Sequence, residues 1–263
     1  MTETTPLDQA HAAMQAAPGD DAARLRFFER LADSELFLML VREAAGEQVE
    51  PETFEVADGT FVLAFDREER LAQFAGRPAP YAALSGRVLA QMLAGQGIGL
   101  GVNLEVAPSS ILIPAEALGW LSETLENAPD EVEARIAEVS APSGLPEDLL
   151  TALDAKLATA GGLAEAAFLV AATYPEGGRG HLLAFVDAVD GAQGALAKAA
   201  GEALTFSGIE AGAMDVGFFA ASDPVAGQLA RVGLRFDLPK PPDPEQVERI
   251  APGSDPDSPP ILK

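Results

Sequence analysis

From residue 98 to 104 the chain alternates Ile98, Leu100, Val102 and Leu104 with Gly99, Gly101 and Asn103, and Gly97 precedes them in phase. Side chains of a strand point alternately to opposite faces, so this spacing predicts a strand with one branched apolar face and one nearly bare face. Glycine weakens a strand, and several on one face mark a place where something packs very close. Gly97, Gly99, Gly101 and Asn103 therefore form a candidate close-contact face. Two occupants are open: a helix of the same chain, over 85–93 or 114–125, or a partner or ligand laid on exposed backbone.

Taken in order, 7–17 and 21–32 have helical composition and are divided by Pro18 and Gly19, with Asp20 or Asp21 as the second N-cap. Leu25, Phe28 and Leu31 place an apolar stripe on the second helix. The short run at 35–41 reads as a buried strand. Segments 53–57 and 60–65 flank Asp58-Gly59, the dipeptide of a two-residue hairpin loop. Asp66 and Glu69 have capping-box spacing before a helix over 67–74, which Gly76 and Pro78 end. A strand over 81–84, a helix capped by Ser85, the glycine strand, a turn at Pro108, Ser109 and Ser110, and a strand over 111–113 follow. Pro114 then opens a helix carrying Leu118, Trp120, Leu121 and Leu125.

Between residues 122 and 148 the composition shifts to eight acidic residues against Arg135 alone, with three prolines, as expected of a boundary between domains. Beyond it the pattern predicts a helix over 146–158 and a hairpin of 164–174 with 180–187. A helix over 191–204, a strand over 211–220, a helix over 223–232 and a strand over 234–238 complete the series. Hairpin, helix and strand occur in both halves, with Leu63-Ala64-Phe65 and Leu183-Ala184-Phe185 in comparable places. The expected fold class is α+β: two small domains, each a mixed or antiparallel sheet with helices packed on it. The last 25 residues hold eight of the twenty prolines and no periodic apolar face, so 239–263 is expected to be a disordered tail.

Composition narrows the function classes. The 263 residues are 48% hydrophobic, enough for a substantial core, and carry 41 acidic against 17 basic side chains, a formal net charge of −24. Such a field repels phosphate backbones and anionic lipid, so neither nucleic acid nor membrane is an expected partner. The chain has no cysteine, which removes disulfides, iron–sulfur clusters, thiolate zinc sites and cysteine nucleophiles. No basic residue precedes Arg24, as a secretory signal would require. The longest uncharged run, 88–104, has 17 residues and four glycines, against roughly 20 apolar residues for a membrane span. The expected location is cytoplasmic.

Candidate chemistry is sparse. His11 and His181 are the only histidines, one in a terminal helix and one at a hairpin edge, and both are expected to be solvated. Gly95, Gly97, Gly99 and Gly101 miss the dinucleotide fingerprint, because position 100 is Leu and a strand rather than a helix follows. Asp66, Glu68 and Glu69 could hold a divalent ion but are explained by a capped, solvated helix start. Gly177-Gly178-Arg179-Gly180 could cradle an anion but reads as a hairpin loop needing positive φ. Met39 and Met92 are expected in the core. No catalytic residue, cofactor or metal site is expected.

The ordered segments DGTFVLAF, PYAALSGRVLAQMLA, GIGLGVNL and SSILIPAEALGWL resemble the N-terminal domain of the SseB family over about residues 24–126. The segment IAEVSAPSGLPEDLLTALDAKLA, the hairpin after Ala164 and the strand before Phe219 are similar to the family's C-terminal domain, to about residue 238. Two departures are the position of Pro108 and the proline-rich tail. The resemblance implies an N-terminal domain with its leading helices over 1–127, an acidic linker over 128–145, a C-terminal domain over 146–238 and the tail beyond. It also implies a bacterial α+β protein of unestablished biochemical role, named for an effect on serine sensitivity. The same name is attached to a membrane-inserting component of a type III secretion translocon, from which the lack of a spanning segment separates this chain. The expected function is a non-catalytic module that binds or regulates another protein. The competing class is a binding protein or enzyme for a small metabolite, such as an amino acid, with a pocket between the domains. The oligomeric state stays open.

Overall fold

The computed structural model describes residues 4–44, 49–57, 59–126, 136–175, 178–208 and 214–238. Within them the chain is α+β, with two mixed sheets, each packed with helices.

The first half opens with helices α1 (Pro6–Ala16) and α2 (Asp21–Asp33). Thr5 and Asp8 form a reciprocal capping box on α1, and the Asp20 carboxylate accepts from the Ala22 N–H on α2. Strands β1 (Glu35–Met39), β2 (Thr53–Val56) and β3 (Gly59–Phe65) follow, then α3 (Glu68–Ala75), β4 (Tyr81–Ser85), α4 (Gly86–Leu93), β5 (Ile98–Val102), β6 (Ile111–Ile113) and α5 (Ala115–Glu126). The sheet runs β4-β1-β3-β5-β6, with β3 and β5 parallel and β2 placed end to end with β1 along one edge of β3. Val56 pairs with Gly59, so the hairpin loop lies one residue earlier than Asp58-Gly59 predicts; Asp58 itself is outside the described residues.

Period-2 alternation sorts the strands. Leu36 and Leu38, Val62 and Ala64, and Leu100 and Val102 face a core shared with Leu7, Phe27, Leu31, Leu89, Leu93, Leu118, Leu121 and Leu125 of the helices. On the opposite face Met39, Leu63, Phe65 and Leu71 form a smaller cluster beneath α3. Full burial of such side chains contributes roughly 1.5–3 kcal/mol each, so the helix-covered face carries most of the stability.

The second half comprises β7 (Glu138–Ser140), α6 (Glu147–Ala158), β8 (Ala166–Thr173), β9 (Arg179–Val186), α7 (Gln193–Phe206), β10 (Met214–Phe219), α8 (Ala226–Val232) and β11 (Leu234–Asp237). Its sheet runs β10-β9-β8-β11, with β9 and β10 parallel and β7 set end to end with β11 on β8. One face packs on α6 and α7 through Leu153, Leu157, Leu196 and Leu204; the other lies under Leu229 of α8. Segment 128–145 is not wholly linker: Glu138–Ser140 pairs with Ala171–Thr173, because Val139 buries itself against β8. Residues 128–135 and the tail 239–263 lie outside the described residues.

The halves meet along α2, α6 and α7. Phe206, fully buried at the end of α7, belongs to the core of the first half. Trp120 of α5 packs edge-on against both Phe28 and Phe206, at centroid separations of 5.3 and 6.5 Å. Three expectations fail on burial. Met92 is 41% exposed, because α4 turns Leu89, Ala90 and Leu93 inward instead. His11 is buried, edge-on to Phe27 at 5.7 Å, because α1 folds onto α2 rather than trailing into solvent. The Asp66 side chain is only 5% exposed, and its partners are described next.

Candidate functional site

Four places in the fold bring chemistry-bearing or unpaired groups together. The first is the glycine face. Gly99 and Gly101 lie on β5, Gly97 precedes it with φ +70°, and Asn103 follows it with φ 50°. A Cβ on Gly99 would stand 2.4 Å from Phe61 Cε1 and 2.7 Å from the Ile113 carbonyl oxygen; one on Gly101 would stand 2.6 Å from Leu63 Cδ2. The occupants are thus side chains of the neighbouring strand β3, with Leu104 and the β6 backbone. Neither α4 nor α5 lies there, since both pack on the branched face. Gly97 has nothing within 4 Å and serves the turn.

The second place is the carboxyl end of the parallel pair β3 and β5, where open sheets commonly receive ligands. Here the chain fills its own crevice. Arg70 donates through Nη2 to Asp8 Oδ2 at 2.6 Å and through Nη1 to Asp66 Oδ1 at 2.8 Å, and all three side chains are at most 5% exposed. Ser109 Oγ donates to Asp8 Oδ1, Asn103 Nδ2 donates to Ser109 Oγ, and Asn103 Oδ1 accepts from the Asp66 N–H, which closes the ring. Thr5 Oγ1 donates to Asp66 at 2.6 Å. Burial alone would raise the Asp8 carboxyl; the hydrogen bonds from Arg70, Ser109 and the Thr5 N–H reverse this and hold it far below the usual carboxylate range. Asp66 is therefore not the cap of α3, whose N-cap position is Arg67 and whose first turn receives no side-chain cap. It stands one residue too early for that role, and Arg70, four residues on, claims it. Glu68 and Glu69 remain on the solvent side. Among the described residues no group of three or more His, Asp or Glu is placed to hold a metal.

The third place is the seam between the halves. Arg87 of α4 donates to both Glu202 oxygens, at 2.7 and 3.0 Å, and to Asp33 at 3.1 Å. Lys156 of α6 donates to Asp33 at 2.7 Å and lies 2.8 Å from Glu202 Oε2. Burial would raise Glu202 of α7, but Arg87 and Lys156 overcome it and lower its pKa. Glu29 of α2 has only a contact of 3.9 Å with Lys156, and burial pushes its carboxyl up to about 7. Sequence reading missed this cluster. Its trace is a lysine inside the apolar stripe of α6, at Leu149, Leu153, Lys156 and Leu157.

The fourth place is the free edge of the first sheet. Leu40 N–H donates to the Pro80 carbonyl and Gly86 N–H to that of Ser34, which fixes the phase of the β1–β4 ladder. The intervening residues Tyr81, Ala83 and Ser85 turn their main-chain groups away from β1. Tyr81 is 37% exposed and stacks edge-on against Phe37, and a hydrogen bond to Glu68 raises its hydroxyl pKa. Glu43, Pro78, Ala79, Pro80 and Tyr81 line a shallow hollow of about 340 Å³ beside it.

The remaining sequence candidates are ordinary. His181 Nε2 lies 3.1 Å from the Ser143 carbonyl oxygen, and Tyr174 bonds Asp215 through its hydroxyl at the same sheet end. Gly178 and Gly180 have no positive φ; the Tyr174 N–H donates to the Gly178 carbonyl and closes the hairpin, while Gly177 lies outside the described residues. Among the described residues no helix is long and apolar enough to cross a membrane.

Compared with known proteins, residues 7–120 match the family model described as the SseB protein N-terminal domain. No curated protein and no solved structure matches the chain. The match spans α1 through the first half of α5, with the glycine strand and the Asp8–Arg70 ring inside it, so it is to the SseB N-terminal domain family that this part of the chain is similar.

Proposed function

We propose that the chain is a non-catalytic, cytoplasmic protein-interaction module that works through the free edge of its first sheet. The observation that carries this reading is β4: an edge strand whose outward main-chain groups at Tyr81 and Ala83 adjoin an exposed aromatic ring and a shallow hollow. An extended segment can add to such an edge, with main-chain hydrogen bonds supplying affinity and side-chain hollows supplying specificity. Glu35, Glu43 and Glu68 surround the position, and the whole chain is strongly acidic, so the complementary segment is basic. The second half, similar to the family's C-terminal domain, joins it as a separate folding unit.

The test is Ala83→Pro. Proline is tolerated on an edge strand where its missing N–H faces solvent, yet it removes the donor that an added strand needs. Co-purification from the native host, read by mass spectrometry, should recover a partner with the parent chain and lose it with Ala83→Pro at an unchanged melting temperature. Retention of the same partner by the folded variant refutes the edge.

A second reading, a protein that holds a small amino-acid-like metabolite between its halves, rests on the convergence of Glu29, Asp33, Arg87, Lys156 and Glu202 there. Four of those five groups are hydrogen-bonded to one another, which favours the interaction reading. A rise in melting temperature with one amino acid, lost on Arg87→Ala, would reverse that preference.

A further inference from the structure

The seam between the halves holds three carboxylates against two cations. Arg87 is fully engaged by Glu202 and Asp33, and Lys156 by the same two carboxylates at 2.8 and 2.7 Å. With each cation shared by that pair, the charges of Asp33 and Glu202 are matched. Glu29 is the surplus member: its side chain is 15% exposed, and its shortest approach to a cation is 3.9 Å, beyond a hydrogen bond. The groups facing it are Asp33 and Arg30 from its own helix, Lys156 from α6 and Glu202 from α7, with Arg87 of α4 behind Glu202. An ionised Glu29 would be a buried charge with no cation left to pair it, set beside two others of the same sign. A neutral carboxyl removes both penalties.

We infer that the seam is a proton-binding latch: one proton on the Glu29 carboxyl accompanies closure of the two halves on each other, and release of that proton loosens them. The sign follows from linkage. In the unfolded chain Glu29 releases its proton near the ordinary value of 4.5, whereas in the folded chain burial, only partly offset by Lys156, holds it to about 7. The closed state thus binds more protons than the open chain between these values. The stabilisation is complete below the unfolded value and is lost as pH rises through 7. One proton per molecule sets the limit, a fall of up to about tenfold in the folded-to-unfolded ratio per pH unit between 4.5 and 7, levelling off above 7. The bridge from Arg26 of α2 to Asp148 of α6, at 3.2 Å and largely exposed, crosses the same boundary.

The protein carries its own reporter, because the one tryptophan, Trp120, sits on the seam between Phe28 and Phe206. The experiment compares the full chain with Glu29→Gln by urea unfolding and by acrylamide quenching of Trp120 at pH 5, 6, 7 and 8. The parent should lose about five- to sevenfold in folding constant per pH unit between pH 5 and 7 relative to the variant, with the difference levelling off by pH 8, and its tryptophan should become more quenchable as pH rises through 7. Glu29→Gln should stay flat in both. Asp33→Asn, which frees Lys156 for Glu29 and removes a like charge beside it, should move the Glu29-dependent fall toward lower pH and make it smaller. If Glu29→Gln fails to fold, Glu29→Met removes the same titration without an amide. Parallel pH curves for parent and variant would overturn the inference. So would a Glu29-dependent change in folding constant with no change at Trp120, since the proton would then act away from the seam.

Discussion

Replacing Gly99 by valine places a branched side chain where the structure leaves no room for even one carbon. Its Cβ alone would lie 2.4 Å from Phe61 Cε1, 2.5 Å from Phe61 Cδ1 and 2.7 Å from the Ile113 carbonyl oxygen. Phe61 is 4% exposed and the carbonyl belongs to the β6 backbone, so neither neighbour can simply swing into solvent. Overpacking of a well-filled site costs about 1–3 kcal/mol. The contact with backbone puts valine at the upper end, near 3 kcal/mol, and alanine about half as much. The better strand propensity of valine and the lower entropy of its unfolded chain return less than about 1 kcal/mol. With a urea slope of about 1–3 kcal/mol per molar, the midpoint should fall by roughly 1 M or more. Gly119 of α5 supplies the opposite control: nothing lies within 4 Å of its Cβ position, so Gly119→Ala should raise stability by about 0.5–1 kcal/mol. An unchanged midpoint for Gly99→Val would mean that this face is open, and recognition by a partner would then replace packing as the reason for its glycines.

Other expectations rest on the buried charges and the shared core. Arg70→Met leaves Asp8 and Asp66 facing each other without their cation and should cost about 3–5 kcal/mol by equilibrium unfolding, whereas Glu69→Gln on the solvent side should cost under 0.5. Because the folded-state pKa of Asp8 is depressed, its contribution is present above the unfolded value near 3.8 and is lost as pH falls below it; Asp8→Asn should make the acid limb of a melting-temperature profile shallower. Phe206→Ala should cost about 3–5 kcal/mol and be felt by the first half, seen as loss of amide protection in β1 and β3 by hydrogen exchange. Residues 1–127 expressed alone should still unfold cooperatively, with a lower midpoint because that phenylalanine is missing; a non-cooperative transition would end the view of two folding units.

Local periodicity made most of the fold legible. Strand β1, the β2–β3 hairpin, the glycine strand and the helices over Glu147–Ala158 and Gln193–Phe206 follow from apolar spacing and turn residues that act within a dozen positions. What escaped was long-range pairing. Asp66 with Glu69 has the spacing of a capping box, but the same aspartate also stands four residues before Arg70, and only the arrival of Asp8 from α1 decides between the two uses. A histidine in a terminal helix reads as solvated until that helix is known to lie on Phe27. Lys156 and Glu202 look like surface charges on amphipathic helices, and the carboxylates and guanidinium that let them be buried come from the other half of the chain. The glycine face was visible as a need for closeness. Its occupants were not, because the lean of Phe61 and Leu63 across a parallel strand leaves no mark in spacing.

The placement of Phe206 also has a consequence in time. Strand β6 completes the first sheet at Ile113 and α5 closes over it by Glu126, yet the ring that fills its core belongs to a residue about 80 positions further on. At a synthesis rate of about 5–20 residues per second, the first half spends roughly 4–16 s with Trp120 and its neighbours lacking their last contact. A nascent chain stalled in that interval would leave open an aromatic socket that Phe206 fills in the finished protein. During translation the N-terminal half is thus a receptor whose ligand is still on the ribosome.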